Sequence, residues 1–368
     1  LKRFRKKYGI WKARGQHHTV ESIHPMVNAI KARFPNQGVR DLRHTLRLEY
    51  RALVSEDVIS RHNHEHDREG VRNRLARVFV RHLYDSAAVN ECWAFDQHDK
   101  WRRFGLYLHV GLEAYSGRVL WLKIWWTNRN PRLVCSYFLD AIEKCGCECC
   151  VRDAVGCCSF IFCDVVMPLI TQSDRGSENH GIANAQTDLR HALDRDLGDT
   201  LQHKWRSKNR NIKPEIFWSR VRRGWAPGFE EVLQRGFDAE IYDETVPWQR
   251  MVFFYVFIPW LQLELDQFAT RVNLSRKRAD KRIGRSRAAP EYIFRRPQKY
   301  GSPEMKVDVT GAEAAIAGAR QAYAPPSHSV FDLVEPEFRE ILDDAYADLG
   351  QPVVNIETCW NVYCGLKA

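Results

Sequence analysis

Residues 104 to 126, FGLYLHVGLEAYSGRVLWLKIWW, constrain the fold more than any other stretch. Apolar side chains alternate through Leu106, Leu108, Val110 and Leu112. Ser116–Gly117 then supplies a turn, and the alternation resumes. A period of two with a turn dipeptide at its centre predicts a β-hairpin. Such a hairpin is not stable alone and needs a further strand and a covering layer. The short apolar run CWAFDQHD, just upstream, predicts that strand and ends in acids.

Helical and strand signals alternate downstream. NPRLVCSYFLDAIEKCG predicts a helix opening near Pro131, with Leu133, Tyr137, Phe138 and Ala141 on its apolar side. PLIT predicts a strand that ends by pushing one carboxylate, Asp174, into the polar turn RGSEN. A helix from about Ser177 carries Ile182, Leu189 and Leu193. TLQHKW predicts a short strand, and KPEIFWSRVRRGW a helix with Pro214 in its first turn. Three strands, helix, strand, helix, strand, helix is an α/β order: a mixed sheet flanked by helices.

The flanks read as helical. Thr19 is an N-cap, followed by Ile23, Val27 and Ile30 at helical spacing, and FPNQG (34–38) breaks that helix. Residues 39–66 read as helix, turn, helix, with Leu42, Leu46 and Tyr50 inward and Ser55 capping a second helix anchored by Val58 and Ile59. HNHEH (62–66) reads as an exposed polar turn. Beyond residue 235, the stretch 246–273 predicts a buried helix carrying Phe253, Val256, Phe257, Leu261 and Leu265. GAEAAIAGARQAYAPPSHS (311–329) reads as a helix leading into a linker, and the acidic stretch 331–350 as a helical tail. Three regions are expected: 1–90 helical, 91–235 the α/β core, and 236–368 helical with a basic arm.

The formal net charge is +10, which suits a polyanionic partner. Seven Lys/Arg and no acid occupy residues 1–14, and SRKRADKRIGRSR (275–287) is denser still. No apolar run is long enough to span a bilayer, so no membrane partner is expected. Seven of the eleven cysteines lie between Cys145 and Cys163. Their spacing does not repeat the paired Cys-x-x-Cys of a tight zinc module. The stretch of about 146–166 therefore reads as an insertion between a helix and a strand that would join without it.

Three acids sit where elements end: Asp96 on the first strand, Asp174 at the tip of the fourth, and Glu215 opening the last helix. Carboxylates held by rigid elements can share two divalent cations about 3.5 to 4 Å apart. Oxygen-only ligation selects Mg²⁺ or Mn²⁺. Asp99 is a rival first ligand; three residues from Asp96 on a strand, it would face the other side.

These residues carry a resemblance. Trp93 to Asp96 in WAFD, Thr171 to Asn179 in TQSDRGSEN, and Glu215 in NIKPEIFWSRVRR are similar to the three motifs of the integrase core domain of transposon-derived proteins, relatives of retroviral integrases. The similarity spans about residues 91–230. It implies an RNase H-like fold and an Asp96–Asp174–Glu215 triad binding Mg²⁺ or Mn²⁺ for DNA strand cleavage and transfer. It also implies a helix-turn-helix before the core, DNA as partner, room for a homo-oligomer, and a nuclear location. Lys213, Arg220, Arg222 and Arg223 are candidate phosphate contacts, as are Arg276, Lys277, Arg278, Lys281 and Arg282 of the basic arm. Glu113 stands where relatives more often carry Asp. The spacing from Asp174 to Glu215 is longer than in retroviral relatives, and their His-His-Cys-Cys zinc pattern is missing. Two rival classes stay open: a domesticated DNA-binding descendant that no longer cuts, and a structural protein whose basic surface binds RNA.

Overall fold

The computed structural model describes residues 16–75, 86–145, 166–206, 210–276 and 286–368. Seven strands are formed among them: β1 Cys92–His98, β2 Tyr107–Glu113, β3 Val119–Trp125, β4 Val166–Met167, β5 Ile170–Asp174, β6 His203–Arg206 and β7 Val307–Asp308. Five make one sheet in the order β3-β2-β1-β5-β6. β2 is antiparallel to both β1 and β3, while β1, β5 and β6 run parallel. The expected mixed sheet flanked by helices is therefore present. The α-helices number α1 Val20–Arg33, α2 Val39–Glu49, α3 Glu56–His66, α4 Arg68–Leu75, α5 Pro131–Cys145, α6 His180–Leu193, α7 Ile212–Gly224, α8 Ala226–Asp238, α9 Pro247–Leu274, α10 Pro290–Arg295, α11 Glu313–Tyr323, α12 Pro336–Asp348 and α13 Cys359–Lys367.

The chain forms two compact units. One comprises Leu1–His82 with Trp218–Arg235, the other Leu83–Phe217 with Gly236–Ala368. In the first, Thr19 and Ser22 close a capping box at the start of α1, and the Ser55 side chain caps α3. Leu42, Leu46 and Ile59 are fully buried, as expected. Tyr50 is not: it is the C-cap of α2 and stands exposed. One position past the last turn, its ring no longer follows the helix's apolar face.

In the second unit, Trp93 and Phe95 of β1 and Trp121 of β3 pack with Val134, Phe138, Leu139 and Ile142 of α5 and with Ile182, Ala185 and Leu189 of α6. Ile316 and Ala319 of α11 join this core. The helix expected within 311–329 is present as α11, and it is part of the packing, because its small residues let it lie close on α5 and α6. Leu193, expected inward, is exposed in the last turn of α6. Gly111 is needed where it stands: a side chain there would run into the Trp121 indole, 2.4 Å away.

The hairpin turn rests on Glu113, which is fully buried. Its carboxylate accepts N–H bonds from Asn90 at 3.3 Å, Tyr115 at 2.8 Å and Ser116 at 2.6 Å. Burial pushes this carboxyl above its ordinary value, and those donors pull against it. The free edge of β3 is closed by α9. Gln262 donates to Leu122 O and accepts from Ile124 N, and Asn273 donates to Val119 O and accepts from Val119 N. Eleven residues apart, Gln262 and Asn273 lie three turns along one helix face. Side-chain amides thus do what a neighbouring strand would do, and the edge is not left open.

The two-residue strand β4 pairs with β7, Val166 opposite Asp308. Val166 therefore belongs to the fold and not to the cysteine-rich insertion, whose residues 146–165 lie outside the described ones. Buried Glu291 accepts from Arg118 Nε at 2.6 Å and from Arg295 Nε at 2.5 Å. Burial alone would raise this carboxyl; Arg118 and Arg295 outweigh it and hold it below the ordinary value of 4.5. A depressed carboxylate contributes stability that is full above the unfolded-state value and is lost as pH falls through the folded one. Glu291→Gln should cost about 3 kcal/mol at neutral pH, since two partly buried guanidinium groups lose their anion. Its Tm, followed below about pH 5, should fall less steeply than the wild type's. Parallel acid limbs would refute this.

Candidate active site

β1 and β5 are paired with Cys92 opposite Ile170, Trp93 opposite Thr171 and Ala94 opposite Gln172. Continued by two residues, this register sets Asp96 level with Asp174. Laterally adjacent residues of neighbouring strands project to one face, so the two carboxylates share a face, opposite Trp93 and Phe95. On β6, Arg206 stands directly across from Asp174. The alternation along β5 is confirmed on its other face. There His203 bonds Thr171 Oγ1 through Nδ1 at 2.8 Å and Ser173 Oγ through Nε2 at 3.1 Å.

On the carboxylate face a polar chain ties three elements together. Arg206 Nε donates to Gln172 Oε1 at 2.8 Å, and Gln172 Nε2 donates to Asn211 Oδ1 at 3.1 Å. Asn211 Nδ2 donates to Phe95 O at 2.8 Å. Asn211 is fully buried and immediately precedes α7. It therefore anchors the start of that helix to β1, one residue before Asp96, and to β5, two residues before Asp174. Glu215 follows in the first turn of α7 and is exposed. Pro214 costs nothing there, because first-turn N–H groups have no intrahelical acceptor.

Asp174 is the most informative of the three acids. Its Oδ1 is buried and, among the described residues, has no hydrogen-bond partner. Burial raises its pKa above the ordinary carboxylate value. Asn179 Nδ2 donates to the Asp174 carbonyl at 3.2 Å, and Ser173 Oγ does so at 2.9 Å. These bonds fix the backbone of the turn while leaving Oδ1 unmatched among the described residues. Gly176 lets the turn close: a side chain there would collide with the Glu178 carboxylate, which is itself buried and bonded by Asn179. A desolvated anionic oxygen without a donor is unfavourable, and a hard cation is a partner that oxygen donors alone can hold. Asp174 therefore offers one oxygen ligand of the kind that Mg²⁺ or Mn²⁺ takes.

The three acids are not drawn into one tight cluster. Among the described residues, the group of three His, Cys, Asp or Glu donors within 4.8 Å of one another is His24, His62 and His66. Asp99 lies just beyond β1, exposed, accepting from Asn128 Nδ2 at 2.8 Å. Asp96 is thus the acid within the strand. Lys213 is half-buried beside Glu215 in the first turn of α7. Arg220 and Arg222 are exposed and Arg223 half-buried, and all three group with the first unit. Arg276 is exposed, while Lys277, Arg278, Lys281 and Arg282 lie outside the described residues. Gln172, Arg206 and Asn211 were not singled out from sequence. The available signal was a long uncharged polar side chain, Gln172, two places before Asp174 and so on the same strand face.

HNHEH is not an exposed turn. It closes α3, with His62 only 1% exposed. His24 Nδ1 of α1 lies 3.0 Å from His62 Nε2, and Asn28 Nδ2 lies 2.9 Å from His24 Nε2. Burial first, then the neighbouring His66 and His24, holds His62 down to about 4. Compared with known proteins, the chain matches no family model and no curated sequence.

Proposed function

We propose that the chain is a transposon-derived, integrase-like polynucleotidyl transferase with an RNase H-like core. The observation that carries this reading is the register placing Asp96 level with Asp174 on adjacent parallel strands, with Asn211 anchoring the Glu215 helix beside them. The sheet order, with β2 alone reversed, supports the same reading. Asp96 and Asp174 would hold divalent ions from the sheet and Glu215 from α7. When bound, such a pair supplies Lewis acidity for activating water or a 3′-hydroxyl and for neutralising charge on the leaving oxygen. The protein's own part is placement. Asn211 and Gln172 hold the acids' backbones at fixed spacing, and Lys213 offers a phosphate contact next to Glu215. DNA is then the partner, the basic arm adds affinity, and a nuclear location follows.

A second reading, a DNA-binding descendant without cleavage, draws on the exposure of Glu215 and on the looseness of the triad. Incubating the full chain with supercoiled plasmid separates the two. Nicking with Mn²⁺ or Mg²⁺ that stops on chelation is the expected result. Duplex binding without nicking under any divalent ion would favour the descendant, and absence of both would sink the proposal.

A further inference from the structure

We propose that His24, His62 and His66 form a site for a divalent transition-metal ion, zinc foremost, that fastens α1 to α3. The site is separate from the carboxylates and independent of the function proposed above. Its construction is simple. His62 and His66, four residues apart, rise from one face of α3. His24, in the second turn of α1, meets them from the facing helix. One donor atom from each ring lies within 4.8 Å of the others. The ring centroids are 5.2 Å apart for His24 and His62, 4.5 Å for His24 and His66, and 4.8 Å for His62 and His66.

The contact between His24 Nδ1 and His62 Nε2, at 3.0 Å, is close to the separation of about 3.3 Å that two imidazoles adopt on one tetrahedral zinc. Counting protons shows what the ion would displace. Two ring nitrogens facing each other can share only one proton. With Asn28 donating to His24 Nε2, the His24 proton sits on Nδ1 and is given to His62 Nε2. The His62 proton is then on Nδ1, which is buried with no hydrogen-bond partner among the described residues. A metal ion between Nδ1 of His24 and Nε2 of His62 replaces the shared proton. The His24 proton moves to Nε2, and the Asn28 amide, turned end for end, accepts it through its oxygen. Metal-bound imidazoles are commonly oriented by such an outer hydrogen bond.

The donor set selects the ion. Three imidazoles suit zinc, copper or nickel and not Mg²⁺ or Mn²⁺, which prefer oxygen. His66 is exposed, so a fourth position faces solvent and would take water. An ion here links two helices of the first unit and adds stability by favouring the folded state alone.

The test uses the full chain without a polyhistidine tag, stripped by chelator and with its thiols alkylated so that the cysteine-rich run cannot compete. Calorimetric titration with Zn²⁺ should show one ion per chain. Co²⁺ should give the visible bands of a nitrogen-ligated tetrahedral ion with no thiolate charge-transfer band. Zn²⁺ should raise Tm where Mg²⁺ does not produce the same shift. His66→Ala, at the exposed position, should fold as the wild type does by circular dichroism and lose at least about a hundredfold in zinc affinity. Asn28→Ala should lose about tenfold. Absence of stoichiometric binding would overturn the proposal. Zinc held equally well by His66→Ala would place the ion elsewhere and overturn it as well.

Discussion

Asp174→Asn should lower metal-dependent cleavage by at least about a hundredfold, the scale on which one electrostatic partner of a transition state is lost, while leaving duplex affinity within about twofold. Affinity is spared because phosphate contacts come from Lys and Arg, not from this acid. The variant should also lose the rise in Tm that Mn²⁺ gives the wild type. Burial raises the Asp174 pKa, so its charge disfavours the metal-free fold at neutral pH. That penalty is present above the folded-state pKa and disappears as pH falls below the unfolded one. The uncharged amide removes it, and metal-free Asp174→Asn should melt no lower than the metal-free wild type near pH 7. Cleavage that persists in the variant would remove Asp174 from the site. A large drop in its metal-free Tm would mean that the carboxylate is a structural acceptor after all.

Asn211→Ala should cost about 2 to 4 kcal/mol of stability, since two hydrogen bonds are lost and their buried partners left unmatched. The partners are Phe95 O, bonded at 2.8 Å, and Gln172 Nε2, bonded at 3.1 Å. Urea unfolding followed by tryptophan fluorescence measures this directly. A merely structural role would end there. A positioning role adds a second effect: the variant, below its own Tm, should need more Mn²⁺ to reach half-maximal cleavage, because Glu215 is no longer held beside the strands. An unchanged metal requirement in a destabilised Asn211→Ala would show that α7 is placed by its packing alone.

The hairpin was legible because Leu106 to Leu112 alternate and Ser116–Gly117 can turn; both are local rules, and both hold in β2 and β3. The caps at Thr19 and Ser55 are equally local and appear as read. What stayed hidden depended on distant neighbours. The helix within 311–329 was legible but its packing was not, because alanines and glycines carry little hydrophobic signal, yet that smallness allows Ile316 and Ala319 to reach the sheet unit's core. HNHEH looks polar and exposed because histidines count as polar in any window. What buries His62 is α1, 38 residues upstream, through His24.

The candidate site divides in the same way. That Asp174 ends a strand and Glu215 opens a helix follows from the linear pattern alone; Asp96, expected at a strand end, lies within β1, two residues before its last. The mutual placement of the three does not follow from that pattern. Asp96 and Asp174 are level only because β1 and β5 pair in parallel with one register among many, and a slip of one residue would turn Asp174 to the other face. The buried amide of Asn211 and the unmatched oxygen of Asp174 are likewise products of the tertiary structure. The sequence by itself determined the elements, their order and the residue types at their ends, because helix and strand periodicity and capping act over a few residues. Only the tertiary structure decided which polar groups meet and which are left without a partner, because burial and hydrogen bonding depend on neighbours that the chain brings together from far apart.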